Sequence, residues 1–168
     1  MATTTQVDSV TAAIAMDLSS LAASSTWTAG VNSTEIQNTQ GYVDVLVTVK
    51  PITATATVLG QILSLYVAGQ NTSFATNPIT AAGMIDGAAG ACNLVNVSTL
   101  NSLRWVASPT ATGLTATPYV IEPFSIAQLF GGVMPIFWSL FFAHNMGTAL
   151  AASQNNLFSF NGITYSTV

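Results

Sequence analysis

The sequence predicts an all-β protein, a single antiparallel β-sandwich over residues 1–168 with an extended N-terminal arm within 1–25. Three observations carry that prediction. In "YVDVLVTVK", residues 42–50, Val43, Val45, Val47 and Val49 share one face at period two, the alternation of a half-buried strand. The other apolar runs are short and separated by Gly, Pro, Asn and Asp, the punctuation of a sandwich or barrel. Half of the residues are hydrophobic, and a chain of this length buries roughly 70% of its extended surface on folding, enough for a true core.

Taken in order, residues 7–25 admit two readings. Val7, Val10, Ile14, Leu18 and Leu21 fall at helical spacing, yet "DLSSLAASS" suits an extended arm with at most one helical turn, which is the preferred reading. The strand at 42–50 ends at Pro51, which cannot donate to a ladder. "LGQILSLYVAG", 59–69, is apolar on both faces and reads as a central strand. Residues 70–101 are rich in Gly, Ala, Asn and Thr, with a turn signal at Asp86-Gly87, and form a surface excursion. "SLRWVAS" at 102–108 is a further short strand. At the C-terminus, Asn161-Gly162 is either a two-residue hairpin or a bulge within one long strand.

The stretch "PIFWSLFFAHNMG", 135–147, decides between functional classes. Residues 123–143 carry no charge and are long enough to span a bilayer. Gly131, Gly132 and Pro135 break a helix there, and no Lys or Arg flanks it, so no membrane span is predicted. As a strand, Ile136, Trp138, Leu140 and Phe142 face one way, as core, while Phe137, Ser139 and Phe141 face the other. Both sides then need cover, from the opposite sheet and from another element or subunit. "HNMG" marks the exit into a turn.

Chemistry is sparse. His144 is the only histidine, with no Cys, His or carboxylate at ligand spacing, so it reads as a partner for a turn carbonyl rather than as a metal ligand or base. Cys92 stands alone, which excludes an intrachain disulfide. "GMIDGAAGA" lacks the Lys and the strand-to-helix setting of a phosphate loop. No catalytic, metal-binding or cofactor-binding residue is assigned, and the chain is not expected to be an enzyme. "MATTTQVDSV" does not read as a secretory signal.

Charge is the anomaly. Only 5% of residues are ionic, against about 25% in ordinary soluble domains. Lys50 and Arg104 are the only basic residues, which excludes nucleic acid as a partner. In place of ions the chain carries 23 Thr and 16 Ser. Such an exterior offers little like-charge repulsion and suits a subunit covered by its neighbours.

The segments "AAIAMDLSSLAAS" (12–24), "AGVNSTEIQNTQGYVDVLVTVK" (29–50), "PFSIAQLFGGVMPIFWSLFFAHNMGTAL" (123–150) and the closing "NGITYSTV" together resemble small virion proteins of tailed bacteriophages. "SIAQLFGGVMP" and "HNMG" are the most specific parts, and 70–101 has no counterpart. Such proteins tend to place a basic residue near the Trp, where this chain has "PIFWSLFF". The resemblance implies a jelly-roll-like structural subunit of the particle without fixing its part, and the expectation drawn from it together with the low charge is a place on the outer surface of the capsid. It would be a decoration or cement protein that forms a homo-oligomer, a trimer, on the major capsid protein. A tail, baseplate or fibre component and a host-glycan-binding module with an exposed Trp27, Trp105 or Tyr are the alternatives.

Overall fold

The computed structural model describes residues 4–9, 11–79, 85–94 and 97–167. Residues 1–3 and 10 of the predicted arm, and 80–84 and 95–96 of the excursion, lie outside these. In chain order the strands are β1 (Thr4–Asp8), β2 (Ala12–Ile14), β3 (Ala29–Asn32), β4 (Ile36–Gln37), β5 (Asp44–Val49), β6 (Ile52–Thr53), β7 (Leu63–Gln70) and β8 (Gly90–Asn93). After a 3-10 turn at Val97–Ser102 come β9 (Arg104–Ala107), β10 (Pro118–Tyr119), β11 (Phe124–Ser125), one helical turn α1 (Ile126–Leu129), β12 (Phe137–His144) and β13 (Phe158–Thr167).

Two antiparallel sheets result. In the first, β1 and β2 share one edge of β13, followed by β5 and β11; in the second, β8 and β3 lead to β12, β7 and β9, with β4 beside β12. A third, two-strand ribbon joins β6 and β10. If β1–β2 and β3–β4 each count as one interrupted strand, the main pairings nest. The first strand pairs the last (β1–β2 with β13), the second the next to last (β3–β4 with β12), then β5 with β11 and β7 with β9. A long antiparallel ribbon folded over on itself gives this order, which is the winding of a jelly roll. The predicted all-β sandwich is therefore the observed fold.

Period-two burial explains why these segments became strands. Val45, Val47 and Val49 of β5 point inward, with Leu46 and Thr48 outward. They meet Leu63, Leu65 and Val67 of β7 and Trp138, Leu140 and Phe142 of β12 between the sheets. Each large side chain buried there contributes about 1.5–3 kcal/mol. Trp138 also takes the edge-on ring of Phe160 at 5.6 Å between centroids.

Two predicted core residues do not belong to it. Val43 is 45% exposed and Ile136 46% exposed. Each stands one residue before its strand begins, where the opposite sheet no longer overhangs, so correct parity does not bring cover. Residues 7–25 form no helical turn among the described positions. Ile14, Met16 and Leu18 are buried at period two instead, so the segment is extended but built into the core.

The opposite face of β12 is covered by the chain itself. Phe141 and Ala143 pack with Phe74, Ile85, Cys92, Leu94 and Leu103 in a second apolar cluster. Gly90–Asn93 is the second sheet's own edge strand, β8, whereas the described residues 71–79 and 85–89, with Leu94, thus form a third layer over that sheet rather than a loose surface excursion. Glu35 pins it: its carboxylate accepts from the Ser73 hydroxyl at 2.9 Å and from the Phe74 amide. At the other turn of this layer, Asp86 accepts from the Ala88 amide at 3.0 Å.

β13 is one continuous strand in unbroken register with β5 through Gly162, so Asn161-Gly162 is neither a hairpin nor a bulge. Glycine stands there because the Tyr42 ring lies flat on it: a Cβ would come within 2.4 Å of the ring carbons. Gly69 of β7 is covered in the same way by Phe130, with 2.5 Å to the ring.

Candidate interaction surface

Several polar and ionisable side chains are engaged inside the fold. His144, fully buried at the end of β12, accepts the Met146 amide on Nδ1 at 3.3 Å, so its proton sits on Nε2 and is donated to the Leu21 carbonyl at 2.9 Å. Burial lowers its pKa, and the Leu21 bond opposes that only in part. Asn145 accepts the Ile62 amide at 2.8 Å and donates its own amide back to the Ile62 carbonyl at 3.1 Å. The "HN" pair therefore ties the end of β12 to the N-terminal segment and to the start of β7. Both are fastenings.

Asp44 has a comparable duty at the opposite end. Its carboxylate accepts from the Val45 amide at 2.7 Å, the Ala127 amide at 2.9 Å and the Ser125 hydroxyl at 2.7 Å. Ser125 in turn caps α1 by accepting from the Gln128 amide at 3.0 Å. This explains why "FSIAQLF" turns where it does. Ser33 and Ser139, both fully buried, sit 3.1 Å apart, and Ser33 Oγ accepts the Leu140 amide at 2.9 Å, bridging the gap between β3 and β4. Burial and, secondarily, the Asp86 charge push the Cys92 thiol up to about 12. Among the described residues, no three His, Cys, Asp or Glu side chains converge as metal ligands.

What remains for interaction is the outside. Three uncharged loops meet at the end of the sandwich where β12 finishes: 54–62, 109–117 and 145–151. They are laced by backbone bonds, Gly60 to Ala111 at 3.2 Å, Ala111 to Gln61 at 2.6 Å and Val58 to Met146 at 3.1 Å. The Thr57 hydroxyl adds a bond to the Leu114 carbonyl at 3.1 Å. This rigid tip presents Leu59 at 75%, Leu114 at 63% and Val58 at 52% exposure. A shallow depression beside it is lined by Ala23, Ser25, Gln61, Asn145 and Gly147, with no ionisable group. At the far end Val133, Ile136, Val43 and Tyr165 are exposed.

In comparisons with known proteins, no family model and no curated protein matches the chain.

The aromatic residues that a sugar would need divide as follows. Trp138 is buried, Trp27 is half-buried against the second apolar cluster, and Trp105 on β9 is exposed with its indole N–H donated to Ser108 at 2.8 Å. The tip residues were missed by sequence reasoning. Leu59 was read into the central strand predicted at 59–69, but β7 begins only at Leu63, which leaves Val58-Leu59-Gly60 in the Thr-rich, uncharged loop before it.

Proposed function

We propose that the chain is a non-enzymatic structural subunit of a tailed-phage particle, a capsid decoration or cement protein. It would assemble with copies of itself and dock on the major capsid lattice. The single observation that carries this reading is the combination of full internal cover with an apolar, nearly ion-free exterior. Both faces of the central strand β12 are already buried within the chain, so Val58, Leu59, Leu114, Val133 and Tyr165 are not needed by its own core. Exposed apolar groups rimmed by Thr and Ser fit partner surfaces. Many modest contacts repeated by symmetry hold a shell without any one strong site. Jelly rolls serve viral capsids and lectins alike, so the fold supports the reading without choosing it.

Native mass spectrometry of the purified chain, followed by copy counting on labelled particles, tests the proposal. An oligomer in solution and hundreds of copies on the head are expected. A handful of copies at the tail would instead favour a tail or baseplate component. A monomer at every concentration, bound to no particle, would overturn both.

The exposed Trp105 favours one second reading, a glycan-binding module. Its indole fluorescence would then shift with host-surface oligosaccharides, and an unchanged spectrum removes the idea.

A further inference from the structure

We propose that two copies of the chain join edge to edge through β13, continuing the first sheet from one molecule into the other. This rests on the assembly reading above and names its contact. β13 pairs with β5 only as far as Ile163, and the Val43 amide adds a last bond to the Ile163 carbonyl at 2.9 Å. There the chain turns away. Asn38 holds the turn by bonding both the amide and the carbonyl of Tyr42, at 2.8 and 2.9 Å. Residues 164–167 of β13 keep β1 on one side, and no other described strand pairs them.

The direction of the free edge follows from the ladder. Ser9 donates to the Gly162 carbonyl at 2.7 Å, so Gly162 faces the β1 side, whereas the Ile163 carbonyl faces β5. Alternation along an antiparallel strand then turns Thr164 and Ser166 toward β1, and the N–H and C=O of Tyr165 and Thr167 toward the open edge. A two-stranded ribbon is marginal by itself and gains from a third strand.

Three features commit the occupant to a second copy. Native edges are usually blocked by Lys, Pro or a bulge; residues 163–167, "ITYST", have none, and their pairing with β1 runs in unbroken register. An antiparallel two-fold pairing centred on Ser166 sets the outward groups of Tyr165 against those of the second copy's Thr167, and the reverse, so the edge is its own complement. No ionic residue occurs anywhere from 123 to 168. The one carboxylate that lines the depression beside Tyr165, that of Asp44, is turned to the Val45 and Ala127 amides and the Ser125 hydroxyl, which limits like-charge repulsion between two such edges. Exposed Val7, Val43 and Tyr165 lie beside the join and supply apolar contact. The two sandwiches then lie at opposite ends of the joined ribbon, an arrangement with two-fold symmetry in place of the threefold one suggested by the resemblance.

Tyr165→Pro in the full chain is the test. Proline removes the outward N–H together with the exposed Tyr165 ring, leaves the β1 ladder intact and is tolerated at a strand edge. Tyr165→Ala, which removes the ring alone, should weaken association far less. Sedimentation equilibrium should show even-numbered species for the unaltered protein and self-association weakened by roughly 100-fold in the variant. Odd-numbered oligomers, or a variant that assembles as well as the parent, overturn the edge contact while leaving assembly intact. A parent that is always monomeric overturns both. Should the variant fail to fold, amide exchange of the unaltered protein decides. Tyr165 and Thr167 amides protected only at associating concentrations support the contact, and their rapid exchange in the oligomer overturns it.

Discussion

His144 Nε2 donates its proton to the carbonyl of Leu21 at 2.9 Å, joining the end of β12 to a segment 123 residues earlier in the chain. The bond needs the neutral ring in one tautomer, because Nδ1 is occupied as an acceptor for the Met146 amide. A protonated ring would lose that second bond and leave a charge buried beneath the tip loops.

The consequence for pH follows from the sign of the shift. The folded-state pKa of His144 lies below its ordinary value of 6.5. Above 6.5 both states are neutral and stability is constant; as pH falls through that value the unfolded chain takes up a proton that the folded one refuses, and stability drops until the folded-state pKa is passed. Thermal stability should therefore fall as pH drops from about 7 through 6.5 and below. His144→Gln, which keeps a donor for Leu21, should flatten that interval, although it costs stability at neutral pH. The lone imidazole gives one resonance set, so NMR titration reads the pKa directly. A midpoint at or above 6.5 contradicts the argument.

Gly162 and Tyr42 form a pair whose coupling can be measured. Gly162→Ala drives a methyl into the ring and should cost about 1–3 kcal/mol. In a Tyr42→Ala background the ring is absent and the same change should cost far less. Denaturant unfolding of both singles and the double closes the cycle; equal penalties in the two backgrounds would mean that the ring is not the obstacle.

Much of this architecture was legible beforehand, for a physical reason. β5 and β12 declare themselves because strand burial imposes period two and their apolar residues keep to it. Parity, however, says nothing about how far the facing sheet reaches, so Val43 and Ile136 looked like core and are not. The third layer was hidden because Phe74, Ile85, Cys92 and Leu94 reach the outer face of β12 from loops and a short edge strand, with no shared periodicity. Asn161-Gly162 misled in another way: a glycine needed beneath a ring and a glycine needed in a turn look the same in a sequence. The tip was overlooked because Leu59 continues the apolar run of β7 and was counted with that strand, whereas hydrogen bonds between distant loops hold it outside the sheet.

Leu140 and Ile136 test the corrected core boundary. Leu140→Ala empties a position with no solvent exposure and should cost about 2–5 kcal/mol. Ile136→Ala removes a half-exposed side chain and leaves intact the backbone carbonyl that accepts the Asn38 amide at 2.8 Å, so its effect should stay within about 0.5 kcal/mol. Chemical denaturation of the two variants compares them, and similar losses would restore Ile136 to the core.

The capping carboxylate of Asp44 should matter more through its oxygens than through its charge. Asp44→Ala removes the acceptor for Val45, Ala127 and Ser125 together and should destabilise by about 1–3 kcal/mol. Asp44→Asn keeps one oxygen in place and should lose less. Amide exchange at Ala127 and Gln128 localises the effect, since only the α1 turn should open. Uniform loosening across both sheets would show that Asp44 acts on the whole sandwich instead.

Cys92 offers a readout of the third layer. Its thiol is buried, with a pKa raised to about 12, so at mildly alkaline pH almost no thiolate exists and nothing reaches it. A thiol reagent should leave the native protein unmodified for hours and react at once after denaturation. Low denaturant separates two cases. If the third layer opens as a unit while the sandwich persists, labelling begins before the far-ultraviolet β-sheet signal is lost. The second cluster packs directly on Phe141 and Ala143 of β12, so the layer and the strand share one buried interface and should open together. Coincident labelling and far-ultraviolet transitions are therefore expected, and labelling at clearly lower denaturant would show that the third layer folds independently of the sandwich it covers.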